Sequence, residues 1–254
     1  ERSRGLGDVY KRQKKILPQI KKEWVDEIII VDGGSTDGTV EKAKEMGFKV
    51  IKQKIPGHGG ALLTGIEEST GDKIIIFGSD GSNETSEIPQ LVEKGLEGFD
   101  QVIISRFGKT SINEDAGMID GFGNKMFAFL VNVFFGGHWT DSLNESRIIS
   151  RKALMEIKED IEKSKMSSTQ QMSIRGLKRK QKICEISGNE RPRIGGERKK
   201  VSIQELNQVF LKESKKFFPK ILKEEQLNIK FDYAKFEQFF HDYTSKEVSV
   251  LEYL

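Results

Sequence analysis

Two apolar runs that each end in a polar loop most constrain what this chain can fold into. The first run, Ile28–Val31, is followed by Asp32–Ser35, and the second run, Ile74–Phe77, is followed by Gly78–Asp80. An unbroken apolar run of four residues is typical of a strand buried on both faces. Open α/β sheets bind ligands at the carboxyl ends of such strands, so the two loops predict one shared site that contains carboxylates.

Length and composition favour one globular domain with an appendage. The chain has 254 residues, of which 36% are hydrophobic and 32% are charged. No apolar segment is long enough to span a bilayer. The single cysteine, Cys184, excludes an internal disulfide and predicts a reducing, cytoplasmic setting. Because the chain adds only three scattered histidines, a zinc site is not expected.

The positive charge of the chain is concentrated in one region. Residues 171–200 contain ten Lys or Arg and three Asp or Glu, a local excess of 10 − 3 = +7, whereas the whole chain carries +3. We interpret the run Lys178–Lys180 as a solvated basic face; an anionic substrate, a phospholipid surface and nucleic acid are the alternatives. No aromatic residues alternate with these charges, which argues against nucleic acid.

Residues 1–13 do not fit a folded segment. Asp8–Gln13 is similar to the translation of a transposase adapter used in sequencing libraries, and the segment has neither helical periodicity nor a signal-peptide pattern. We therefore expect residues 1–13 to be an artefact and exclude them from the fold. On this interpretation the domain is truncated at its N-terminus.

Strands and helices alternate along the rest of the chain, which predicts an α/β fold with a doubly wound, mostly parallel sheet and flanking helices. After residue 200 the pattern is helical without further strands, so residues 14–200 are predicted to form the main domain and residues 201–254 a helical C-terminal tail. The predicted strands are 28–31, 49–53, 73–77, 100–105 and 183–186, and the predicted helices are 14–24, 36–45, 61–69, 87–94, 123–135, 151–164 and 168–179.

Two loops have the chemistry of a phosphate and metal site. Gly57 and Gly59 belong neither to a Walker loop nor to a dinucleotide fingerprint, but glycines before a helix let backbone N–H groups approach a phosphate. A simple strand-to-helix turn explains them equally well. Asp80 suits a hard cation, which takes one or two carboxylates together with substrate phosphates. The alternative for Asp80 is a turn-forming residue.

A third polar segment follows the apolar stretch that ends near Phe135. In Thr140–Arg147, Asp141 is a candidate base and Arg147 a candidate phosphate clamp. Taken alone, the two residues would fit a helix cap and a surface charge better.

The order of these segments resembles family 2 glycosyltransferases, of the branch that contains dolichyl-phosphate mannose synthases and other polyprenyl-phosphate glycosyltransferases. The resemblance runs from Glu27 to about Lys199. Its motifs are Val31–Thr39, similar to V-D-D-x-S-x-D-G-T; Gly57–Gly65, similar to G-x-G-x-A-x-x-x-G; Gly78–Asp80, at the place of a D-x-D metal motif; Ser105–Phe107, similar to S-R-[YF]; Gly123-Asn124; Thr140–Arg147, similar to T-D-x-x-x-G-[FY]-R; and a late basic loop, Glu190–Lys199.

This resemblance implies a GT-A, Rossmann-like fold and an inverting transfer from a nucleotide-diphosphate sugar to a lipid phosphate or a glycan. It implies Mg²⁺ or Mn²⁺ held by Asp80, and Asp141 as the catalytic residue. A polyprenyl-phosphate acceptor would be met at the membrane surface, in cell-envelope synthesis. By the same resemblance the nucleotide-binding residues are Asp32, Ser35, Asp37, Gly57, Gly59 and Arg198, and the acceptor-phosphate-binding residues are Arg106 and Arg147.

The chain departs from the family pattern at several places. Gly33 and Gly78 each replace an aspartate, Asn144–Ser146 replaces the step before Arg147, and the first strand with its P-x-Y-N-E loop is absent. Two alternatives therefore stay open. One is a non-catalytic nucleotide-sugar-binding or partner module, and the other is a sugar-phosphate nucleotidyltransferase.

Overall fold

The computed structural model describes residues 15–36, 38–78, 81–114, 124–163 (except 126, 130, 133 and 134) and 168–192. The chain divides into two compact units, Glu1–Glu197 and Arg198–Leu254, and every described residue belongs to the first unit. The predictions for residues 1–13, Asp37, Asp80, Arg198 and residues 201–254 lie outside the described residues.

Strands and helices alternate along the described chain, as the sequence predicts. The strands are β1 (Ile29–Asp32), β2 (Lys49–Lys52), β3 (Lys73–Ile76), β4 (Gln101–Ser105), β5 (Arg147–Ser150) and β6 (Ile183–Ser187). The helices are α1 (Thr39–Glu45), α2 (His58–Glu68), α3 (Ile88–Leu96), α4 (Arg151–Lys163) and α5 (Ser168–Lys178). The described residues between 124 and 135 are also helical. No helix of the described part is long and apolar enough to cross a membrane.

The strands form two sheets among the described residues. β1 and β2 pair in parallel, and a four-stranded sheet has the order β3-β5-β4-β6. In the larger sheet β3, β4 and β6 run in one direction, and β5 runs against both of its neighbours. The mixed α/β class with a mostly parallel sheet is therefore confirmed.

Strand β5 is not predicted by the sequence. Its four residues, Arg-Ile-Ile-Ser, contain only two apolar positions and begin with a charge. A run this short gives no strand period, and its position is fixed by pairing with β3 and β4 on either side.

Helices cover both faces of the four-stranded sheet. Side chains alternate along each strand, so each face presents its own apolar residues to the helices. Val102 and Ile104 of β4 pack with Leu91 of α3 on one face. Ile103 packs on the opposite face with Trp139 and Ile174. A further cluster joins Ile149 of β5 to apolar residues of α2, α4 and α5. This layered arrangement is the doubly wound architecture that the alternation predicts.

Burial is lower than predicted in the strands that define the two apolar runs. All four residues of β1 and of β3 are half-buried, whereas all five residues of β4 are buried. β4 has a neighbour on each side, while β1 and β3 each pair along one edge only among the described residues. An edge strand lacks the neighbour that would cover one of its sides.

The N-terminal segment also differs from the prediction. A single amphipathic helix over residues 14–24 is wrong, because the chain instead forms 3-10 helices at Leu17–Gln19 and Lys22–Trp24. Pro18 lies in the first turn of the first of these. The break between the two falls at Ile20 and Lys21, whose backbones are extended.

Candidate functional site

Arg106 is the centre of the polar site at the carboxyl end of β4. Its Nε donates to Asp141 Oδ2 at 2.6 Å and its Nη2 donates to Asp141 Oδ1 at 3.1 Å. Its Nη1 donates to Glu190 Oε1 at 3.1 Å. The Arg106 side chain is 14% exposed, whereas Asp141 is fully buried. A guanidinium held by two carboxylates, one of them bidentate, is fixed in both position and direction.

Asp141 orders the loop that leads into β5. Besides Arg106, its Oδ1 accepts the backbone N–H groups of Leu143 and Asn144, each at 3.2 Å. Its Oδ2 also accepts the backbone N–H of Arg106 at 3.2 Å. A buried carboxylate is tolerated when it is paired and hydrogen-bonded in this way. The site residues predicted on two separate motifs, Arg106 and Asp141, are thus brought together.

Glu185 on β6 holds the start of the same loop. Its carboxylate accepts the backbone N–H groups of Thr140 and Asp141 and the Thr140 hydroxyl, at 2.8–3.0 Å. Burial raises the pKa of Glu185; the hydrogen bonds from Asp141 and Thr140 oppose this rise. The Thr140 hydroxyl also lies 2.6 Å from the Ser105 hydroxyl. β4, β6 and the loop are therefore joined through one polar network.

The charge of Arg106 is secured by this network. Burial by itself would lower the pKa of the guanidinium, but the hydrogen bonds and charges of Asp141 and Glu190 raise it above its ordinary value. Arg106 therefore stays charged, with three of its five N–H donors bound to carboxylates.

Arg147 lies in the interior, away from any surface. Its side chain is fully buried, and its Nη2 donates to the Asn144 carbonyl at 2.6 Å. Its Nη1 donates to Gln101 Oε1 at 3.4 Å and to the Ser173 hydroxyl at 3.3 Å. Burial lowers the pKa of Arg147 to about 10, against the opposing charges of Asp141 and Glu145. This position does not support the predicted contact with an acceptor phosphate, because solvent does not reach the guanidinium.

Asp32 closes the loop that follows β1. Its Oδ2 accepts the backbone N–H of Gly34 at 2.8 Å and that of Ser35 at 3.1 Å. Burial alone would raise the pKa of Asp32, but the hydrogen bonds from Ser35 and Gly34 and the charge of Lys52 bring it below its ordinary value. Ser35 is exposed. The carboxylate is ionised and shapes the loop, and its contact with a nucleoside stays a prediction.

The glycine loop before α2 places the helix N-terminus in the open. Gly57 caps α2 with φ +92°, and Gln53 Nε2 donates to the Gly57 carbonyl at 2.8 Å. A Cβ added at Gly59 would meet nothing within 4 Å, whereas one added at Gly60 would collide with the backbone carbonyl of Ile55. Gly60 is therefore required by packing, whereas the surroundings of Gly59 leave room for a side chain.

An unpredicted carboxylate, that of Glu145, lies at the carboxyl end of β3. A Cβ added at Gly78 would collide with Glu145 Oε1 and would lie 3.3 Å from Asn83 Nδ2. Asp80, the predicted metal ligand, lies outside the described residues. Within the described part of the chain, no three His, Cys, Asp or Glu side chains are grouped so that they could hold a metal ion.

Sequence reasoning missed three carboxylates of this region: Glu145, Glu185 and Glu190. A signal existed for two of them. Glu185 interrupts the apolar strand Ile183–Ile186, and a charge inside a buried strand needs a partner. Glu145 stands where the family motif that it resembles has glycine. Conversely, Gly78 stands where the family has the first aspartate of its metal motif.

The family model described as Glycosyl transferase family 2 matches residues 10–158, more than half of the chain. The uncharacterized protein MJ1222 of Methanocaldococcus jannaschii is 31% identical over 175 residues, which cover 67% of this chain and 72% of that protein. The undecaprenyl-phosphate 4-deoxy-4-formamido-L-arabinose transferase of Pectobacterium carotovorum is 35% identical over 91 residues, 33% of this chain and 27% of that protein.

Solved structures share the fold. Glucosyl-3-phosphoglycerate synthase from Mycobacterium tuberculosis, in complex with Mn²⁺, UDP-glucose and phosphoglyceric acid, matches with a TM-score of 0.57 at 20% identity, over 83% of this chain and 75% of that chain. This likeness confirms the expected GT-A fold. The chain spans nearly three quarters of its archaeal relative but about a quarter of the arabinose transferase. By its family match and its fold, the chain belongs to glycosyl transferase family 2.

Proposed function

We propose that this chain transfers a sugar from a nucleotide-diphosphate sugar to a lipid-phosphate or glycan acceptor, with inversion and with the help of a divalent metal. In this proposal residues 14–200 are the catalytic domain and residues 201–254 a helical extension. The observation that carries it is the Arg106 centre, a fixed and permanently charged guanidinium at the carboxyl end of β4. Such ends are where α/β sheets bind their ligands.

The donor would lie between the loops that follow β1 and β2. Asp32, Ser35 and Asp37 are proposed to contact the nucleoside, and the N–H groups at Gly57 and Gly59 the diphosphate. Gly57 is exposed at the N-terminal end of α2, which supports the second contact. The role of Arg198, in the late basic loop, at the leaving diphosphate stays a prediction from the sequence.

Arg106 is proposed to bind the acceptor phosphate. Two of its N–H donors are left after the three bonds to Asp141 and Glu190, and the side chain is partly exposed. In a single displacement, the acceptor oxygen forms a bond to the anomeric carbon as the bond from that carbon to the diphosphate oxygen breaks. A phosphate oxygen is already a nucleophile and needs no base.

Asp141 would act through Arg106 rather than as the base proposed from the sequence. Its two oxygens accept five hydrogen bonds, and its side chain is fully buried. A base must reach the proton that it removes. We therefore propose that Asp141 positions Arg106, which favours a lipid phosphate over a sugar hydroxyl as acceptor. The undecaprenyl-phosphate named in the arabinose transferase relative supports the same class.

The residues near the end of β3 fit a hard divalent cation. The Glu145 carboxylate approaches Gly78 there, and Asp80 follows two residues after Gly78 in the sequence. Oxygen donors of this kind suit Mg²⁺ or Mn²⁺, and the mycobacterial structure contains Mn²⁺ with UDP-glucose. A bound cation supplies Lewis-acid stabilisation of the leaving diphosphate.

The test uses the full chain with UDP- and GDP-sugars. Donor binding is measured by calorimetry with and without Mn²⁺, and nucleotide release is measured with undecaprenyl phosphate in detergent or with soluble sugars as acceptor. We expect Mn²⁺-dependent donor binding, release with the lipid phosphate, and loss of metal-dependent binding in Asp80→Ala. Unchanged donor affinity in that variant would refute the role of Asp80.

The same assays separate the alternatives. Donor binding without nucleotide release for any acceptor would support the non-catalytic module. Pyrophosphate formation from a nucleoside triphosphate and a sugar phosphate would support the nucleotidyltransferase. With a lipid-phosphate acceptor, the enzyme would work at the cytoplasmic face of a membrane as a peripheral protein.

A further inference from the structure

Gly78 and Glu145 lie just beyond the paired ends of β3 and β5. The antiparallel register pairs Ile76 with Arg147, and two further steps along the two chains bring Gly78 opposite Glu145. A Cβ added at Gly78 would collide with Glu145 Oε1. The glutamate carboxylate therefore occupies the space that a side chain at position 78 would fill.

The two residues are an exchange relative to the motifs that the chain resembles. Those motifs have a carboxylate at position 78 and a glycine at position 145, and this chain has the reverse. Directly opposed residues have Cβ atoms about 4.5–5.5 Å apart, a span that the longer glutamate side chain covers. After the exchange the carboxylate comes from the segment before β5 instead of the segment after β3, but it lies at the same place in the fold.

We propose that Glu145 is a metal-binding residue and that its carboxylate, carried at the entry to β5, replaces the one that Gly78 cannot provide. This inference rests on the proposed metal-assisted transfer. Half-buried Glu145 places its carboxylate oxygen Oε1 against Gly78 at the carboxyl end of β3, and carboxylate oxygens are ligands that a hard cation takes. Glu145 would supply one of the one or two carboxylates that Mg²⁺ or Mn²⁺ takes from protein when phosphates complete its shell.

A rival role for Glu145 is purely structural. Its charge acts on the buried guanidinium of Arg147 and opposes the fall in the pKa of that group that burial causes. If balancing Arg147 were the whole role of Glu145, removing the charge would lower protein stability and leave metal affinity unchanged. The two roles are therefore separable by measuring both quantities.

The experiment titrates Mn²⁺ into the full chain and follows the free-ion signal by electron paramagnetic resonance, alone and with UDP or GDP. Four proteins are compared: wild type, Glu145→Gln, the exchange variant Gly78→Asp/Glu145→Gly, and Glu93→Gln. The last is an exposed carboxylate on α3 and serves as the matched control. Urea unfolding of each protein shows which variants fold normally.

We expect Glu145→Gln to weaken Mn²⁺ binding at least tenfold, the exchange variant to restore it, and Glu93→Gln to match wild type. Unchanged Mn²⁺ affinity in Glu145→Gln overturns the inference, as does any loss matched by Glu93→Gln. If Asp80→Ala loses Mn²⁺ binding while Glu145→Gln keeps it, only this inference fails. If the wild-type protein binds neither Mn²⁺ nor a nucleotide sugar, the proposed function fails with it.

Discussion

At the scale of single residues, the ion pair between Arg106 and Asp141 is mostly buried, so its loss should cost more stability than the loss of a surface ion pair. We expect Asp141→Asn to lower the free energy of unfolding by about 3–5 kcal/mol, because it leaves a mostly buried guanidinium without its bidentate partner. Urea unfolding at neutral pH measures the loss.

The control for this prediction is a pair on the surface. Lys94 and Glu97 are 2.8 Å apart, with both side chains more than 40% exposed, so Glu97→Gln should leave the unfolding midpoint unchanged. Equal effects of Asp141→Asn and Glu97→Gln would contradict the picture of a buried, rigid centre.

Glu87 is a second residue whose environment makes a measurable prediction. Burial raises its pKa from 4.5 to about 7; the charge of Glu84 adds to the rise and the N–H of Asn189 opposes it. Because the folded state holds the proton more tightly, the wild-type protein should lose stability as the pH rises from about 4.5 to 7 and lose no more from this group above that range.

The measurement compares wild type with Glu87→Gln by urea unfolding between pH 5 and pH 8. Glutamine stays neutral, so the free energy of unfolding of the variant should rise relative to that of wild type by on the order of 3 kcal/mol across this range. Glu93→Gln, on the exposed side of helix α3, which begins just after Glu87, should show no such pH dependence. A pH-independent difference would refute the raised pKa.

At the scale of elements, the first turn of α2 contains two adjacent glycines with different roles. Gly60→Ala would push a Cβ into the Ile55 backbone carbonyl, which cannot move aside as a flexible side chain would. We expect a loss of about 1–3 kcal/mol in the free energy of unfolding. Gly59→Ala meets open space and should be neutral or slightly stabilising, since alanine favours helix.

The two alanine variants serve as controls for each other, because both positions lie in the first turn of α2. Similar unfolding midpoints for the two would show that the loop relaxes around a Cβ at residue 60. The sequence alone treats these glycines as one phosphate-loop signal, whereas the packing assigns them separate roles.

Element prediction succeeded where the sequence carries a long or periodic signal. Helices α4 and α5 and strands β2, β4 and β6 lie within a residue or two of their predicted bounds. It failed at β5, whose position depends on its two neighbouring strands, and at residues 14–24, where extended Ile20 and Lys21 divide the segment.

At the scale of the whole molecule, a ligand that binds only the folded protein must stabilise it. If the chain binds Mn²⁺ and a nucleotide sugar, concentrations 100 times the dissociation constant add about 2.7 kcal/mol, which raises the Tm by several degrees. Thermal unfolding with UDP- and GDP-sugars measures this shift.

The metal part of the shift should vanish when EDTA is added and return with excess Mn²⁺. A shift that survives EDTA unchanged would show that the donor binds without metal. The absence of any shift with either donor would count against the proposed function as a whole.

The sequence by itself determined the family, the alternation of strands and helices, and the candidates Asp32, Arg106, Asp141 and Gly59. These are local properties, because each depends on a short run of adjacent residues and can be predicted from that run alone. Only the tertiary structure decided which charges meet. It paired Arg106 with Asp141, enclosed Arg147, and brought Glu145 to the side of Gly78. The physical reason is that a charge acts on what lies near it in space, and strand pairing joins segments far apart in the chain.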